Sequence, residues 1–340
     1  MTRRVLLVGS SPFETARDAF ECFGPSLAGL ATRIPDGEPG PRRQWISWQM
    51  RTAIPAAEGL EPAGEAGATY GQAMFHYRVK PGVTANSVTF GPLGYANAAR
   101  ESYALFKGLR DAGKIAPGTR FQVCLPTAFA VCSRIVPGDL RAVWNAYEKA
   151  LFAEIDEITR FVPSTELAIQ WDIATEITAV LENQTPALAD RFPVEEHVAA
   201  IARAADRVPR AAELGLHFCY GDLHHKHLVE PKDTSVMVGF CNRIVPAISR
   251  PVTWVHMPVP RSRDDDAYFA PLKALKLPSG TEFYLGLVHM TGGLDGIKRR
   301  ITAAKRAVSD FGVATECGLG RRSADAMPEL MKLHREAAEL

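Results

Sequence analysis

Short apolar segments alternate with segments of helical spacing along most of the chain. Residues 5–8, 121–126 and 166–172 are apolar runs of strand length that end in polar residues, glycine or proline. Leu140–Phe161 carries apolar side chains at steps of three and four, and Val194–Arg207 is also predicted to be helical. This alternation is typical of parallel β-strands joined by helices.

The alternation repeats often enough to close a barrel. The predicted strands begin at Val5, near Arg33, and at Phe121, Leu167, Leu216, Val252, Phe283 and Val313. We therefore predict an α/β fold, a single (β/α)8 TIM barrel that spans residues 1–340 as one domain. A doubly wound open sheet is the alternative, but no Gly-x-Gly-x-x-Gly motif follows the first strand to favour a dinucleotide-binding version. Residues 51–90 are rich in Gly, Ala and Pro and predict an insertion, with an isolated strand at residues 75–79.

Composition excludes several classes of partner. The chain has 340 residues, 46% of them hydrophobic, and 39 basic against 38 acidic side chains give a net charge of +1. This balance predicts no nucleic-acid surface. No apolar run reaches the roughly 18 residues of a membrane span, so no membrane partner is expected. The six cysteines are scattered, which predicts reduced thiols and a cytoplasmic protein.

The strand predicted around Leu214 carries a candidate metal site. His217 and Cys219 are two residues apart, so a strand would direct both side chains to one face. About a hundred residues later, Cys317 follows another predicted strand and directly precedes a glycine. Imidazole and thiolate ligands are typical of zinc, so the fold is expected to bring these three side chains together around Zn²⁺. The alternative is that all three are ordinary core residues.

Other polar residues also follow apolar strands. They are Asp36, Glu38, Gln170, Asp172, His256, His289 and Glu316. In a parallel barrel all strand carboxyl ends open on one face, so these residues are predicted to form one site. Each also has a structural alternative, such as a turn, a helix cap or a satisfied core histidine. His224, His225 and His227 could supply a ligand or a proton shuttle, or form a solvated loop.

Two arginines are further candidates for substrate binding. Arg261 and Arg263 follow the His256 strand and could hold an anionic substrate group. The alternative, which the sequence favours equally, is that both arginines form surface ion pairs with the aspartates at residues 264–266.

Five short motifs, in this order, resemble one family. They are Gly9-Ser10-Ser11-Pro12, Asp36-Gly37-Glu38, Gln170-Trp171-Asp172, His217-Phe218-Cys219-Tyr220 and Cys317-Gly318-Leu319. The chain resembles the catalytic barrel of cobalamin-independent methionine synthase and its relatives. That superfamily also includes zinc methyltransferases that act on coenzyme M, and uroporphyrinogen decarboxylase.

The resemblance implies roles for individual residues. His217, Cys219 and Cys317 match three zinc ligands of that family. Ser10, Glu38 and Asp172 match positions that hold the amino-acid thiol. Asp36 and Gln170 lie in the same two motifs and are further substrate-binding candidates, and Asp172 is also a candidate catalytic residue.

Three departures from the family pattern leave the reaction open. The family has a Glu ligand on the strand after His-x-Cys, where this chain has only His256, so His256 or water is expected as the fourth ligand. Ile173 stands where the family has a second carboxylate. The family's acid histidine has no clear counterpart, and His289 is the nearest candidate for this catalytic role.

The sequence therefore predicts a zinc-dependent methyltransferase that acts on a thiol acceptor. The methyl donor, folate or another carrier, stays open, because the chain has room for only one barrel. One alternative is another enzyme on the same barrel, such as a decarboxylase or a metal-assisted hydrolase or lyase. A second alternative is a non-catalytic binding relative.

Overall fold

The computed structural model describes residues 2–221 and 227–340. Within these residues eight parallel strands form one sheet with the order β1-β10-β9-β8-β7-β6-β5-β2. The eight strands are β1 (Val5–Leu6), β2 (Arg33–Pro35), β5 (Arg120–Pro126), β6 (Leu167–Ile173), β7 (Glu213–Phe218), β8 (Trp254–Pro258), β9 (Glu282–Gly286) and β10 (Gly312–Ala314). The strands follow chain order around the sheet, as in a TIM barrel.

The two edge strands of this sheet lie side by side. The backbone N–H of Val5 donates to the carbonyl of Leu30 at 3.0 Å, and that of Ser11 donates to the carbonyl of Gly37 at 2.8 Å. These bonds flank β1 and β2 and bring the sheet close to full closure. The predicted single barrel is confirmed.

Helices pack around the outside of the barrel. They are α1 (Ala16–Ser26), α2 (Ile46–Arg51), α3 (Ala53–Ala56), α4 (Tyr95–Asp111), α5 (Ala128–Cys132), α6 (Leu140–Phe161), α7 (Pro186–Ala189), α8 (Val194–Arg207), α9 (Ser235–Ala247), α10 (Asp266–Phe269), α11 (Gly293–Ala304) and α12 (Met327–Ala338). In α6 the predicted apolar face is buried, including Trp144, Tyr147 and Leu151. Short 3₁₀ segments and a π-helical turn, Glu176–Leu181, complete the connections. No helix of the described ranges is long and apolar enough to cross a membrane.

Residues 51–90 include a β-hairpin rather than an isolated strand. Strands β3 (Leu60–Thr69) and β4 (Gln72–Val79) pair antiparallel outside the barrel sheet. The first of them was not predicted, because its Gly, Ala, Glu and Pro residues have low strand propensity. The tip of the hairpin reaches the mouth of the barrel, where the hydroxyl of Tyr70 accepts a hydrogen bond from Arg321 Nε at 3.1 Å.

Side chains fill the barrel interior below its mouth. Trp254 of β8 lies against the neighbouring strand, where a Cβ on Gly215 would come within 1.8 Å of the indole. Only glycine leaves room for that ring. Deeper still, Arg33 is 1% exposed and bonds to Glu213 at 2.7 Å and to Glu282 at 2.9 Å. These residues begin β2, β7 and β9, so the network crosses the amino-terminal end of the barrel.

Candidate metal centre and substrate cavity

His217, Cys219 and Cys317 meet at the mouth of the barrel. His217 lies near the end of β7, Cys219 directly follows that strand, and Cys317 lies in the loop after β10. The ligand atoms of all three lie within 4.8 Å of one another. The two sulfurs are 3.6 Å apart, and Cys317 Sγ is 4.0 Å from His217 Nε2. The curvature of the barrel produces this convergence, because β7 and β10 are not adjacent in the sheet.

This spacing fits a tetrahedral zinc ion. Two sulfurs bound to such an ion at about 2.3 Å lie about 3.8 Å apart, close to the observed separation of 3.6 Å. The two cysteines are free thiols and do not form a disulfide. The backbone N–H of Gly221 donates to Cys219 Sγ at 3.2 Å and holds this side chain in place.

Hydrogen bonds to His256 fix the ring of His217. His256 Nε2 lies 3.1 Å from the carbonyl of Thr315, so this nitrogen carries the proton. His256 Nδ1 is therefore an acceptor, and His217 Nδ1, 2.7 Å away, donates to it. His217 Nε2 is left without a proton and faces Cys317. Burial, together with the neighbouring His256, holds the pKa of His217 well below its usual value, so the ring is neutral.

His256 itself therefore offers no free nitrogen to the cluster. Both of its ring nitrogens are bonded elsewhere, and the ligand-atom cluster found among the described residues does not include it.

A cavity of about 470 Å³ opens beside the three ligands. Its walls come from the carboxyl ends of several strands and from the loops after β2 and β10. They include Ser10, Glu38, Arg43, Trp45, Asp172, His217, Cys219, Cys317 and Arg321. The cavity thus joins the three candidate metal ligands to two carboxylates and two guanidinium groups.

Asp172 titrates near neutral pH in this cavity. Burial raises its pKa from 3.8 to about 7, although Gln170 and the nearby Trp45 oppose the shift. Gln170 Nε2 donates to Asp172 at 2.9 Å and to the carbonyl of Val8 at 2.6 Å. Gln170 is wholly buried and holds Asp172 in place.

Glu38 faces the same cavity from a strained backbone. Its φ of 50° and that of Trp45, 49°, are uncommon for residues other than glycine. Burial raises the pKa of Glu38 well above its usual value, and the charge of Asp172 adds to the shift. Strain of this kind persists only where the surrounding structure enforces it, and it concentrates at functional sites.

Asp36 organises the loop that carries Glu38. Its carboxylate accepts hydrogen bonds from Arg42 at 2.7 Å, from Ser102 at 2.7 Å and from the backbone N–H of Glu38 at 2.9 Å. Although burial acts to raise it, the pKa of Asp36 is lowered, because Arg42 stabilises the carboxylate. With these bonds formed, Asp36 supports the site rather than facing the cavity beside the metal ligands.

Ser10 joins the end of β1 to the Cys317 loop. The backbone N–H of Leu319 donates to the Ser10 carbonyl at 2.6 Å, and a Cβ on Gly318 would lie only 2.3 Å from the Ser10 hydroxyl oxygen. Glycine is therefore required next to Cys317. The motif Cys317-Gly318-Leu319 positions this ligand through close backbone contact.

His289 lies behind the cluster rather than in the cavity wall. Its Nε2 bonds to the carbonyl of Val259 at 2.8 Å, and its Nδ1 is 3.8 Å from Glu316. Burial lowers the pKa of His289 to about 4. Glu316 also pairs with His227 at 3.2 Å. Burial acts to lower the pKa of His227, but the Glu316 carboxylate raises it to about 9, so this pair is ionised at neutral pH.

The structure does not bring the remaining candidates into the cavity. Arg261 is exposed, and Arg263 pairs with Asp265 at 2.8 Å and stacks on Tyr268. Neither arginine lines the cavity, in keeping with the surface alternative. His224 and His225 lie outside the described residues.

Sequence reasoning missed three residues of the cavity wall. Arg43 and Trp45 fall in residues 42–49, a segment whose spacing predicts one regular helix. Instead, a 3₁₀ turn, Gly40–Gln44, ends at Trp45, whose positive φ redirects the chain before α2. Arg321 follows the Cys317 motif closely, and its proximity to that motif was the available signal.

Comparison with known proteins supports the fold. No protein-family model matches the chain, and no curated protein matches it. A solved structure of a B12-independent methionine synthase from Shewanella sp. W3-18-1, in complex with selenomethionine, is 13% identical with a TM-score of 0.60. That match covers 100% of this chain and 97% of the other.

A second match is a protein assigned as a vitamin B12-independent methionine synthase from Listeria monocytogenes. It is 13% identical, has a TM-score of 0.55, and covers 95% of this chain and 86% of the other. The chain therefore has the fold of cobalamin-independent methionine synthases, which confirms the resemblance at the level of fold. At this identity the comparison establishes the architecture alone.

Proposed function

We propose that this protein is a zinc-dependent enzyme that transfers a methyl group to a thiol. The observation that carries the proposal is the cluster of His217, Cys219 and Cys317 beside a cavity with two buried carboxylates. The three residues would hold zinc through one nitrogen and two sulfurs. When bound, zinc would lower the pKa of a substrate thiol and supply a thiolate nucleophile at neutral pH.

The protein's own side chains bind and orient the acceptor. Glu38 and Asp172 share one cavity; burial raises the pKa of both, and the charge of Asp172 further disfavours ionisation of Glu38. A positively charged amino group between them would relieve this repulsion and stabilise both carboxylates. We therefore assign them to the ammonium group of an aminothiol, with Ser10 at the same end of the cavity. The methionine synthase fold makes homocysteine the first acceptor to test.

The remaining residues support this arrangement. Trp45 forms a wall that limits access of water to the thiol. Arg43 and Arg321 line the cavity and supply positive charge for an anionic group of the acceptor or donor. We assign His289 a supporting role, because it faces Glu316 next to Cys317 and does not line the cavity.

Metal analysis tests the proposal. Protein purified without added zinc should carry about one zinc per chain. The double variant Cys219→Ser, Cys317→Ser should lose it. A matched double variant, Cys132→Ser, Cys241→Ser, removes two buried thiols outside the site and should retain it. Zinc-free wild-type protein that binds none on addition, or zinc retained without Cys219 and Cys317, would contradict the proposal.

A further inference from the structure

His256 connects two segments that carry proposed metal ligands. On one side its Nδ1 lies 2.7 Å from Nδ1 of His217 on β7. On the other side its Nε2 lies 3.1 Å from the carbonyl of Thr315, two residues before Cys317. The side chain is 0% exposed, so no solvent competes for either bond.

These two bonds select one arrangement of protons. A carbonyl oxygen only accepts, so His256 must donate through Nε2 and, as a neutral ring, accept through Nδ1. His217 must then donate through Nδ1. Its Nε2, the nitrogen nearest Cys317, is left with a free lone pair. Metal-bound histidines are commonly oriented by such a partner on their other nitrogen.

The same contacts also set the distance between His217 and the loop that carries Cys317. His217 belongs to β7 and Cys317 to the loop after β10, and these two strands are not adjacent in the sheet. His256 on β8 spans this interval by bonding to the ligand ring on one side and to the loop backbone on the other. A ring without nitrogens would leave a buried N–H on His217 and a buried carbonyl on Thr315 without partners.

We propose that His256 is a positioning residue of the metal centre, which fixes the tautomer of His217 and the distance between His217 and the Cys317 loop. It therefore acts on the metal through His217 rather than as a fourth ligand. This inference rests on the metal centre proposed above, but it can fail independently of it.

Two substitutions distinguish the hydrogen bonds of the His256 nitrogens from the packing of its ring. His256→Phe keeps a planar ring and removes both nitrogens. His256→Asn keeps a polar group near the position of Nδ1 and provides a smaller, better tolerated change. His334→Phe is the matched control, because His334 is also fully buried and bonds to a backbone carbonyl, that of Leu330, in α12.

Zinc and cobalt affinity, measured by competition with a chelator, gives the first readout. His256→Phe should weaken binding about 10- to 100-fold, the usual effect of losing such a partner. His256→Asn should weaken it less, and His334→Phe should leave it unchanged. Wild-type affinity in folded His256→Phe and His256→Asn would overturn the inference and leave the proposed function intact.

The tautomer of His217 gives a second readout that packing alone would not change. Nitrogen-15 NMR of metal-free wild-type protein should show the His217 proton on Nδ1, and His256→Asn should alter that preference. A proton on Nε2 of His217 in the wild type would overturn the inference. Failure of the wild-type protein to bind either metal would instead overturn the proposed function, and this inference with it.

Discussion

Burial sets the chemistry of the individual site residues. It holds the pKa of His217 well below its usual value and raises that of Asp172 to about 7, because the cavity stabilises the neutral form of both groups. A neutral imidazole is a ready metal ligand. A carboxyl group whose pKa is near 7, such as that of Asp172, ionises readily when a cation binds beside it. In the proposed function, the same physical effect would suit His217 to a metal and Asp172 to a cationic substrate group.

Glu38 offers the sharpest test at this scale. The substitution Glu38→Gln keeps the shape of the side chain but removes the charge that would bind an ammonium group. We expect weaker binding of homocysteine, by about tenfold or more, since a charge-assisted hydrogen bond contributes about 1.5–3 kcal/mol. Calorimetric titration of the zinc-loaded protein measures this, with zinc content determined on the same sample. Loss of zinc from the variant would show that Glu38 has been misassigned.

Individual residues were predictable where their spacing carried the information. His217 and Cys219 share a strand face by simple alternation, and Cys317 follows a strand that had to end on the same barrel face. The role of His256 was not predictable, because whether an interior histidine binds a metal or another ring depends on ångström-scale distances. The positive φ of Trp45 likewise has no local sequence signal, since tertiary contacts enforce it.

At the scale of elements, periodicity located the strands and helices better than their ends. Leu140–Phe161 and Val194–Arg207 form as predicted, because their buried faces are long and regular. Residues 293–310 have the spacing of a helix, but α11 ends at Ala304, and residues 282–289 form an apolar run of strand length, but β9 ends at Gly286. At the end of β9, at the mouth of the barrel, the backbone leaves the strand and passes into a loop beside the site.

The π-helical turn after β6 carries a test of pH dependence. Glu176 begins this turn, and burial raises its pKa from 4.5 to about 7. The native state therefore holds this proton more tightly than the unfolded chain does. Its stability falls as pH rises from about 4.5 to about 7, by about 3 kcal/mol at most.

Replacing Glu176 with Gln should remove this loss of stability at higher pH. We expect urea unfolding to show Glu176→Gln gaining stability relative to wild type between pH 4.5 and pH 8 by about 2–3 kcal/mol. Glu148→Gln, on α6, where Glu148 pairs with the exposed Arg203, is the control and should show no comparable gain. An unchanged difference between Glu176→Gln and wild type across this range would show that the pKa of Glu176 is the same in the native and unfolded states.

Across the whole molecule, the two ends of the barrel carry different sets of polar residues. The carboxyl ends of the strands carry the ligand cluster and cavity, and the amino ends carry the buried network around Arg33. Arg33 also stacks on Trp254, with 4.4 Å between its guanidinium carbon and the ring centroid. The alternation of strands and helices was sufficient to predict the barrel, but not this network, whose members are 180 and 249 residues from Arg33 in sequence.

Removing Arg33 should therefore affect stability and not the site. Arg33→Met leaves Glu213 and Glu282 without their shared partner, and we expect a loss of about 3 kcal/mol in the free energy of unfolding. Arg203→Met, which breaks an exposed pair with Glu148, should cost less than about 1 kcal/mol. Urea unfolding measures both. Loss of zinc from folded Arg33→Met would contradict this separation of the two ends.

The central claim is that one nitrogen and two sulfurs hold a zinc ion that accepts a substrate thiol. Zinc K-edge X-ray absorption of the purified protein, before and after addition of homocysteine, cysteamine or 3-mercaptopropionate, tests it most directly. We predict two sulfur neighbours at about 2.3 Å before addition and three after addition of the correct thiol. A zinc shell without sulfur, or a sulfur count that none of these thiols changes, would contradict the account.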